Sequence, residues 1–182
     1  MKPENVLIGA DGYIKLTDFG LSRNNIEGNF VAHSVCGTPE YLAPEVVKKD
    51  GHGKAVDWWC LGSIIYELVN GIPPFIAKHH HQLYNKIKED DPELNKNWSK
   101  NLKDIILQLL AKDPEVRLKN AEKIKQHPWI NQTKWDDLLE KKLKPPFIPV
   151  IKQENDVSNF APEFTNMSPH SNADSLSECS HY

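Results

Sequence analysis

The strongest constraint on the fold of this chain is a tight turn, Gly9-Ala10-Asp11-Gly12, between two short strand-like runs. The runs are Val6–Ile8 and residues 13–16, and an Asp-Gly pair between such runs favours a β-hairpin. Asn5 comes just before the first run and Asp18 just after the second. If the runs pair antiparallel, these two residues therefore become neighbours. The sequence therefore predicts a hairpin that brings an amide and a carboxylate together.

These two side chains carry the oxygen donors that magnesium prefers. Mg²⁺ keeps several waters and is usually shared between one or two protein ligands and substrate phosphates. Lys2 adds a positive charge close to the same place. Asn and Asp beside turns also commonly cap the backbone, so the hairpin alone leaves both interpretations open.

The pattern after the hairpin is helical. Residues 54–70 form a long apolar run that ends at Gly71, with Pro73-Pro74 beyond it, which predicts one mostly buried helix with Asp57 in its first turn. Ser99 is a candidate N-cap for a second, amphipathic helix. Its apolar face contains Leu102, Ile105, Ile106, Leu109 and Leu110. Residues 135–143 favour one more helix, and the prolines in 144–149 favour an extended segment.

Four motifs, in this order, resemble the eukaryotic protein kinases. They are Lys2-Pro3-Glu4-Asn5, Asp18-Phe19-Gly20, residues 36–45 from Cys-Gly-Thr to Ala-Pro-Glu, and Asp57-Trp58-Trp59. The chain resembles the AGC group, and most closely its ribosomal-protein-S-six kinase branch. The resemblance implies a mainly α fold, the C-terminal lobe of the kinase fold, with a short β-hairpin near the N-terminus and an extended C-terminal tail. It implies a partial kinase domain over residues 1–130 and an AGC tail over residues 131–182, partly disordered after about residue 170.

The resemblance assigns ATP and Mg²⁺ as cofactors. It implies that Asn5 and Asp18 hold the magnesium ions, that Lys2 contacts the transferred phosphate, and that the packing of Phe19 reports the active or inactive state. The family's catalytic aspartate would precede Met1, and its Gly-rich phosphate loop belongs to an N-terminal lobe. We therefore expect Met1 to be an internal residue of a longer protein, and residues 1–182 alone to be inactive.

Two further roles implied by the resemblance are structural. Arg117 matches the family arginine that pairs with Glu45, and Asp57 matches the aspartate that anchors the backbone of the catalytic loop. If the Glu45–Arg117 pair is buried, losing one member costs about 3–5 kcal/mol, because the other charge is left unpaired.

Regulation and substrate choice are carried over in the same way. The resemblance makes Ser34 the activation-loop phosphosite with Arg23 as its partner, and Ser168, before Pro169, the turn-motif phosphosite. Glu4 and Glu67 match acids that bind a substrate arginine, which would select basic sequences. Substrate contacts are also implied for Val35, Thr38, Pro39 and Leu42.

Two function classes follow. The first is a serine/threonine kinase that transfers the ATP γ-phosphate to protein substrates with basic residues near the target, under the control of an upstream activating kinase. The second is a non-catalytic docking or pseudokinase module that binds substrates or that upstream kinase.

Composition narrows the partners and the location. The net charge of −3 argues against nucleic acid, and no apolar run is long enough to span a membrane. Three cysteines without metal spacing suit a cytoplasmic location, with the nucleus as the alternative. We also expect the apolar surface around Phe19, Leu21, Phe160 and Phe164 to be exposed and to promote association.

Overall fold

The computed structural model describes residues 1–22 and 36–167. The described part is mainly helical, with one two-stranded antiparallel sheet near the N-terminus, which confirms the predicted fold class. The strands are β1 (Val6–Ile8) and β2 (Ile14–Leu16). The α-helices are α1 (Pro44–Lys48), α2 (Ala55–Asn70), α3 (His80–Glu89), α4 (Lys100–Leu109), α5 (Ala121–Lys125), α6 (Trp135–Leu139) and α7 (Pro162–Thr165). Single 3-10 turns cover Pro3–Asn5 and Pro39–Tyr41.

The core forms where α2 packs against α4. All five residues of the predicted apolar face of α4, from Leu102 to Leu110, are buried, which confirms the pattern drawn from their spacing. The two helices approach so closely at Gly62 that a Cβ there would lie 2.8 Å from the Cβ of Leu109. Trp59 of α2 stacks on Phe75, with ring centroids 5.9 Å apart, and extends this core.

The ends of α2 and α4 follow from local chemistry. Gly71 has a φ of +86°, and its N–H donates to the carbonyl of Glu67 at 2.7 Å, so glycine ends α2 as predicted. The Ser99 hydroxyl accepts a hydrogen bond from the Leu102 N–H at 3.2 Å. This bond confirms Ser99 as the N-cap of α4.

The third predicted helix is shorter than residues 135–143. Helix α6 ends at Leu139, because Lys141 adopts a left-handed φ of +56°. Lys141 N–H donates to the carbonyl of Leu138 at 3.1 Å, and Lys142 N–H donates to that of Asp137 at 2.8 Å. This is a Schellman motif with lysine at the left-handed position where glycine is usual, so the local pattern did not predict it.

Several large apolar side chains remain exposed. Phe19, Leu21, Phe160 and Phe164 are each more than half exposed, as predicted, whereas their effect on association stays a prediction. Among the described residues, no helix has the length and apolar character needed to cross a bilayer.

Candidate functional site

The hairpin brings Asn5 and Asp18 together. Strand β1 pairs with β2 in the register Val6↔Leu16, Leu7↔Lys15 and Ile8↔Ile14. Just beyond the last pair, Thr17 N–H donates to the carbonyl of Asn5 at 2.9 Å. The two flanking side chains then meet, and Asn5 Nδ2 lies 3.4 Å from Asp18 Oδ2.

The geometry around this pair leaves oxygen atoms available. Asp18 is exposed and adopts a left-handed φ of +59°, which Asp tolerates better than most residues. Its Oδ1 accepts only a long bond, 3.4 Å, from Gly20 N–H. Asn5 donates through Nδ2, and within residues 1–22 and 36–167 no donor contacts its Oδ1. An amide oxygen and an exposed carboxylate are therefore available side by side at this end of the hairpin.

The donor set fits magnesium better than a transition metal. No group of three or more His, Cys, Asp or Glu side chains with metal-binding geometry occurs in the described part of the chain. Mg²⁺ does not need such a cage, because waters and nucleotide phosphates complete its octahedron. Lys2 lies next to the pair, and its carbonyl accepts a hydrogen bond from Asn5 N–H at 3.0 Å.

A second group of residues forms an acidic surface around Tyr41. The Tyr41 hydroxyl donates to Glu67 Oε2 at 2.5 Å. Burial raises the pKa of Tyr41 well above its ordinary value, and the bond to Glu67 and the negative charges of Glu67, Glu4 and Glu40 raise it further. Glu4 and Glu67, the two predicted substrate acids, are thus close enough to act on one phenol.

The expected ion pair between Glu45 and Arg117 is present and buried. Arg117 Nη1 lies 2.7 Å from Glu45 Oε1, and Nη2 lies 2.8 Å from Oε2, a bidentate contact. The guanidinium also donates to three backbone carbonyls and lies over the Trp59 ring, with Cζ 5.1 Å from the centroid. This pair fixes the start of α1 against α2 and is structural.

The remaining predicted residues are placed as follows. Phe19 is exposed, and Asp57 is exposed in the first turn of α2, with no side-chain partner among the described residues. Thr38 and Pro39 are half-buried, while Leu42 is buried in the core, so a substrate contact by Leu42 stays a prediction. Arg23, Ser34, Val35 and Ser168 lie outside the described residues.

Two features were not predicted from the sequence. Tyr41 belongs to the motif over residues 36–45, but nothing in its local pattern indicated a contact with Glu67, which lies on α2. Lys112 was also missed: its ammonium lies 4.2 Å from the Phe75 ring centroid and donates to the carbonyl of Ile87 at 2.8 Å. Only the aromatic content of the core could have suggested a half-buried cation there.

Comparisons with known proteins identify the family of the chain. The model of the protein kinase domain family matches residues 1–130, and that of the protein kinase C terminal domain matches residues 151–179. The chain belongs to the protein kinase domain family, within the AGC group of serine/threonine kinases.

The chain is similar to curated serine/threonine kinases from several animals. It is 44% identical over 167 residues to serine/threonine-protein kinase sgk-1 of Caenorhabditis elegans, covering 90% of this chain and 36% of that protein. It is 43% identical over 168 residues to human serine/threonine-protein kinase Sgk1, covering 91% of this chain and 39% of that protein. The chain thus spans well under half the length of these relatives. Because they are Sgk1 kinases, the comparisons support the AGC group and not specifically the ribosomal-protein-S-six kinase branch.

Proposed function

We propose that the protein is an ATP-dependent serine/threonine kinase and that this chain supplies its metal-binding residues and part of its substrate surface. The observation that carries the proposal is the meeting of Asn5 and Asp18 at the open end of the hairpin, with Nδ2 and Oδ2 3.4 Å apart. In protein kinases, an aspartate and an asparagine hold the two magnesium ions that bridge the nucleotide phosphates and neutralise developing charge.

Each residue of this site has a distinct part in the proposed reaction. Asp18 supplies an exposed carboxylate and Asn5 an amide oxygen, which together would hold the metal ions and so orient the nucleotide phosphates. Lys2, next in the chain to the 3-10 turn that carries Asn5, would donate to the phosphoryl group that is transferred. Since phosphoryl transfer depends on positioning and electrostatics, this arrangement suits the reaction.

The acidic surface around Tyr41 would favour substrates with basic residues near the target. Glu67 is half-buried and held by the Tyr41 hydroxyl, so one carboxylate oxygen is fixed before a substrate arrives. An arginine of the substrate would bind between Glu67 and Glu4 with charge-assisted hydrogen bonds.

The same proposal includes control of activity by phosphorylation. An upstream kinase would phosphorylate Ser34, with Arg23 as the partner of the phosphate, and Ser168 would be a second phosphosite.

Manganese tests the metal site directly. Mn²⁺ replaces Mg²⁺ at oxygen sites and broadens the NMR signals of nearby nuclei, so we expect it to broaden the Asn5 side-chain amide and the Asp18 and Gly20 backbone signals. Asp18→Asn should weaken the apparent Mn²⁺ affinity by at least about ten-fold. Asp50→Asn, a change at an exposed aspartate outside the site, is the control. Broadening that Asp18→Asn leaves unchanged would contradict the proposal and favour the non-catalytic docking module.

Kinetics on the whole protein test the substrate surface. Glu67→Gln should lower kcat/KM about ten- to one-hundred-fold for a peptide with arginine upstream of the target, and much less for the same peptide with alanine there. Glu89→Gln, an exposed acid on α3, is the control. Equal losses for the two peptides would show that Glu67 does not bind the arginine.

We also propose a cytoplasmic location, with the nucleus as the alternative. Microscopy of the tagged protein tests this proposal.

A further inference from the structure

The closed end of the hairpin is held by a segment far away in sequence. Asp11 Oδ2 lies 2.5 Å from Lys141 Nζ, and the Tyr13 hydroxyl donates to the carbonyl of Leu143 at 2.5 Å. Lys141 Nζ also lies 5.4 Å from the centroid of the Tyr13 ring. These contacts link residues about 130 positions apart, and we call them the tail clamp: residues 11–13 held by residues 141–147.

The backbones meet as closely as the side chains. Gly12 has a φ of +81°, and a Cβ at this position would lie 2.6 Å from the carbonyl oxygen of Phe147 and 2.7 Å from the Cβ of Pro145. Only glycine accommodates both the conformation and the approach. The tail segment itself is shaped for the contact, because the left-handed Lys141 ends α6 and turns the chain toward the hairpin.

The hairpin is short and largely exposed, although Val6 and Leu7 are half-buried. Its strands have three residues each, and Ile8, Ile14 and Leu16 are all about half exposed or more. A two-stranded hairpin of this size is marginally stable by itself. Its register therefore depends on what holds the turn, and the register decides whether Asn5 and Asp18 meet.

We propose that Tyr13, Asp11 and Lys141 are positioning residues that act through the hairpin on the Asn5–Asp18 pair. The inference rests on the proposed function, since it assigns a role at the same metal site. The strands carry the effect over about 10 Å, the length of three residues in a strand. The turn is closed by Gly9 N–H donating to the carbonyl of Tyr13 at 2.8 Å, and the open end by Thr17 N–H donating to the carbonyl of Asn5. Loosening the turn frees the register, which weakens the bond at Thr17 and separates the two metal-binding side chains.

Hydrogen exchange and a charge swap test the tail clamp on the full chain. Asp11→Lys and Lys141→Asp each place like charges together, and we expect exchange at the Thr17 amide to become about two- to five-fold faster in each. The double variant restores the attraction but not the hydrogen bond from Tyr13 N–H to the Asp11 carboxylate, so its exchange should be slower than in either single variant. Tyr13→Phe keeps the ring but loses the bond to Leu143, and should accelerate exchange at Thr17 about two- to ten-fold.

A neighbouring lysine provides the matched control. Lys142 pairs with the nearby Glu140 and not with the hairpin, so Lys142→Asp makes the same charge change next to Lys141 without removing a hairpin contact. Exchange at Thr17 should not change in this variant. The Leu110 amide, which donates to Ile106 at 2.8 Å in the core, reports whether any variant has loosened the whole fold.

Mn²⁺ titration of the same variants distinguishes a positioning role from a purely structural one, because a structural role would leave the Mn²⁺ affinity unchanged. Apparent affinity at Asn5 should fall by the same factor as Thr17 protection in the single variants and recover in the double variant. Faster exchange confined to Gly9 and Gly12, unchanged exchange, or no recovery in the double variant overturns the tail clamp and leaves the proposed function intact. Absence of any Mn²⁺ effect at Asn5 in the wild-type chain overturns the proposed metal site. The positioning role is then overturned as well, whatever the exchange rate of the Thr17 amide.

Discussion

The buried pair of Glu45 and Arg117 allows the sharpest test of what holds this fold together. The Arg117 side chain is fully buried and that of Glu45 is 7% exposed, so neither charge can be solvated where it stands. Arg117→Met removes the cation but keeps an apolar chain over Trp59. The Glu45 carboxylate then stays buried without its partner, which costs about 3–5 kcal/mol.

The size of this loss follows from the hydrogen bonds that disappear. Arg117 donates to both oxygens of Glu45 and to the carbonyls of Ala111, Ala55 and Lys112, at 2.7 to 3.2 Å. Glu45→Gln keeps the guanidinium and its three carbonyl partners, so we expect it to cost less than Arg117→Met. In the double variant neither charge remains, and the combined loss should fall short of the sum by about 1–3 kcal/mol.

Urea unfolding followed by tryptophan fluorescence measures these losses, because Trp59 lies against Arg117. Domains are stable by only about 5–15 kcal/mol, so Arg117→Met should remove a large share and lower Tm by roughly 6–20 °C. Lys119→Met is the control: its pair with Glu115 is exposed and should contribute at most about 1 kcal/mol. A loss below about 1 kcal/mol for Arg117→Met, with an unchanged m-value, would refute the view that this pair is structural.

Three further predictions concern the helical core. Gly62→Ala should destabilise the fold by about 1–3 kcal/mol in the same urea assay, because the new methyl group would clash with Leu109. Ser99→Ala should cost about 1 kcal/mol, since the Leu102 N–H loses its acceptor, while Ser99→Asn should not. Burial lowers the pKa of Lys112 to about 8, so between about pH 8 and 10.5 the unfolded chain binds more protons and stability rises with pH through this group. The stability difference between wild type and Lys112→Met should therefore shift in favour of wild type from pH 7.5 to pH 9.5, and a constant difference would contradict this.

Local chemistry explains which features could be predicted from the sequence. The Asp-Gly turn, the glycine after α2 and the serine before α4 act on neighbours within a few residues, so each could be interpreted where it stood. The same holds for Asn5 and Asp18, because a tight hairpin converts a separation of 13 residues into contact. The pairing of Glu45 with Arg117 came from the resemblance to kinases, since no local pattern links residues 72 positions apart.

The features that could not be predicted share a physical cause. Lys141 ends α6 in a left-handed conformation that glycine or asparagine usually adopts. The Lys141 ammonium also makes a long-range contact with Asp11. The bond from Tyr41 to Glu67 likewise could not be predicted from the motif that contains Tyr41, because Glu67 is brought to it by the tertiary fold. In both cases the residue type is compatible with many surroundings, and tertiary packing chooses among them. The contact between the tail segment and the hairpin turn, and the bond from Tyr41 to Glu67, are therefore the parts of this kinase lobe that sequence patterns predict least well.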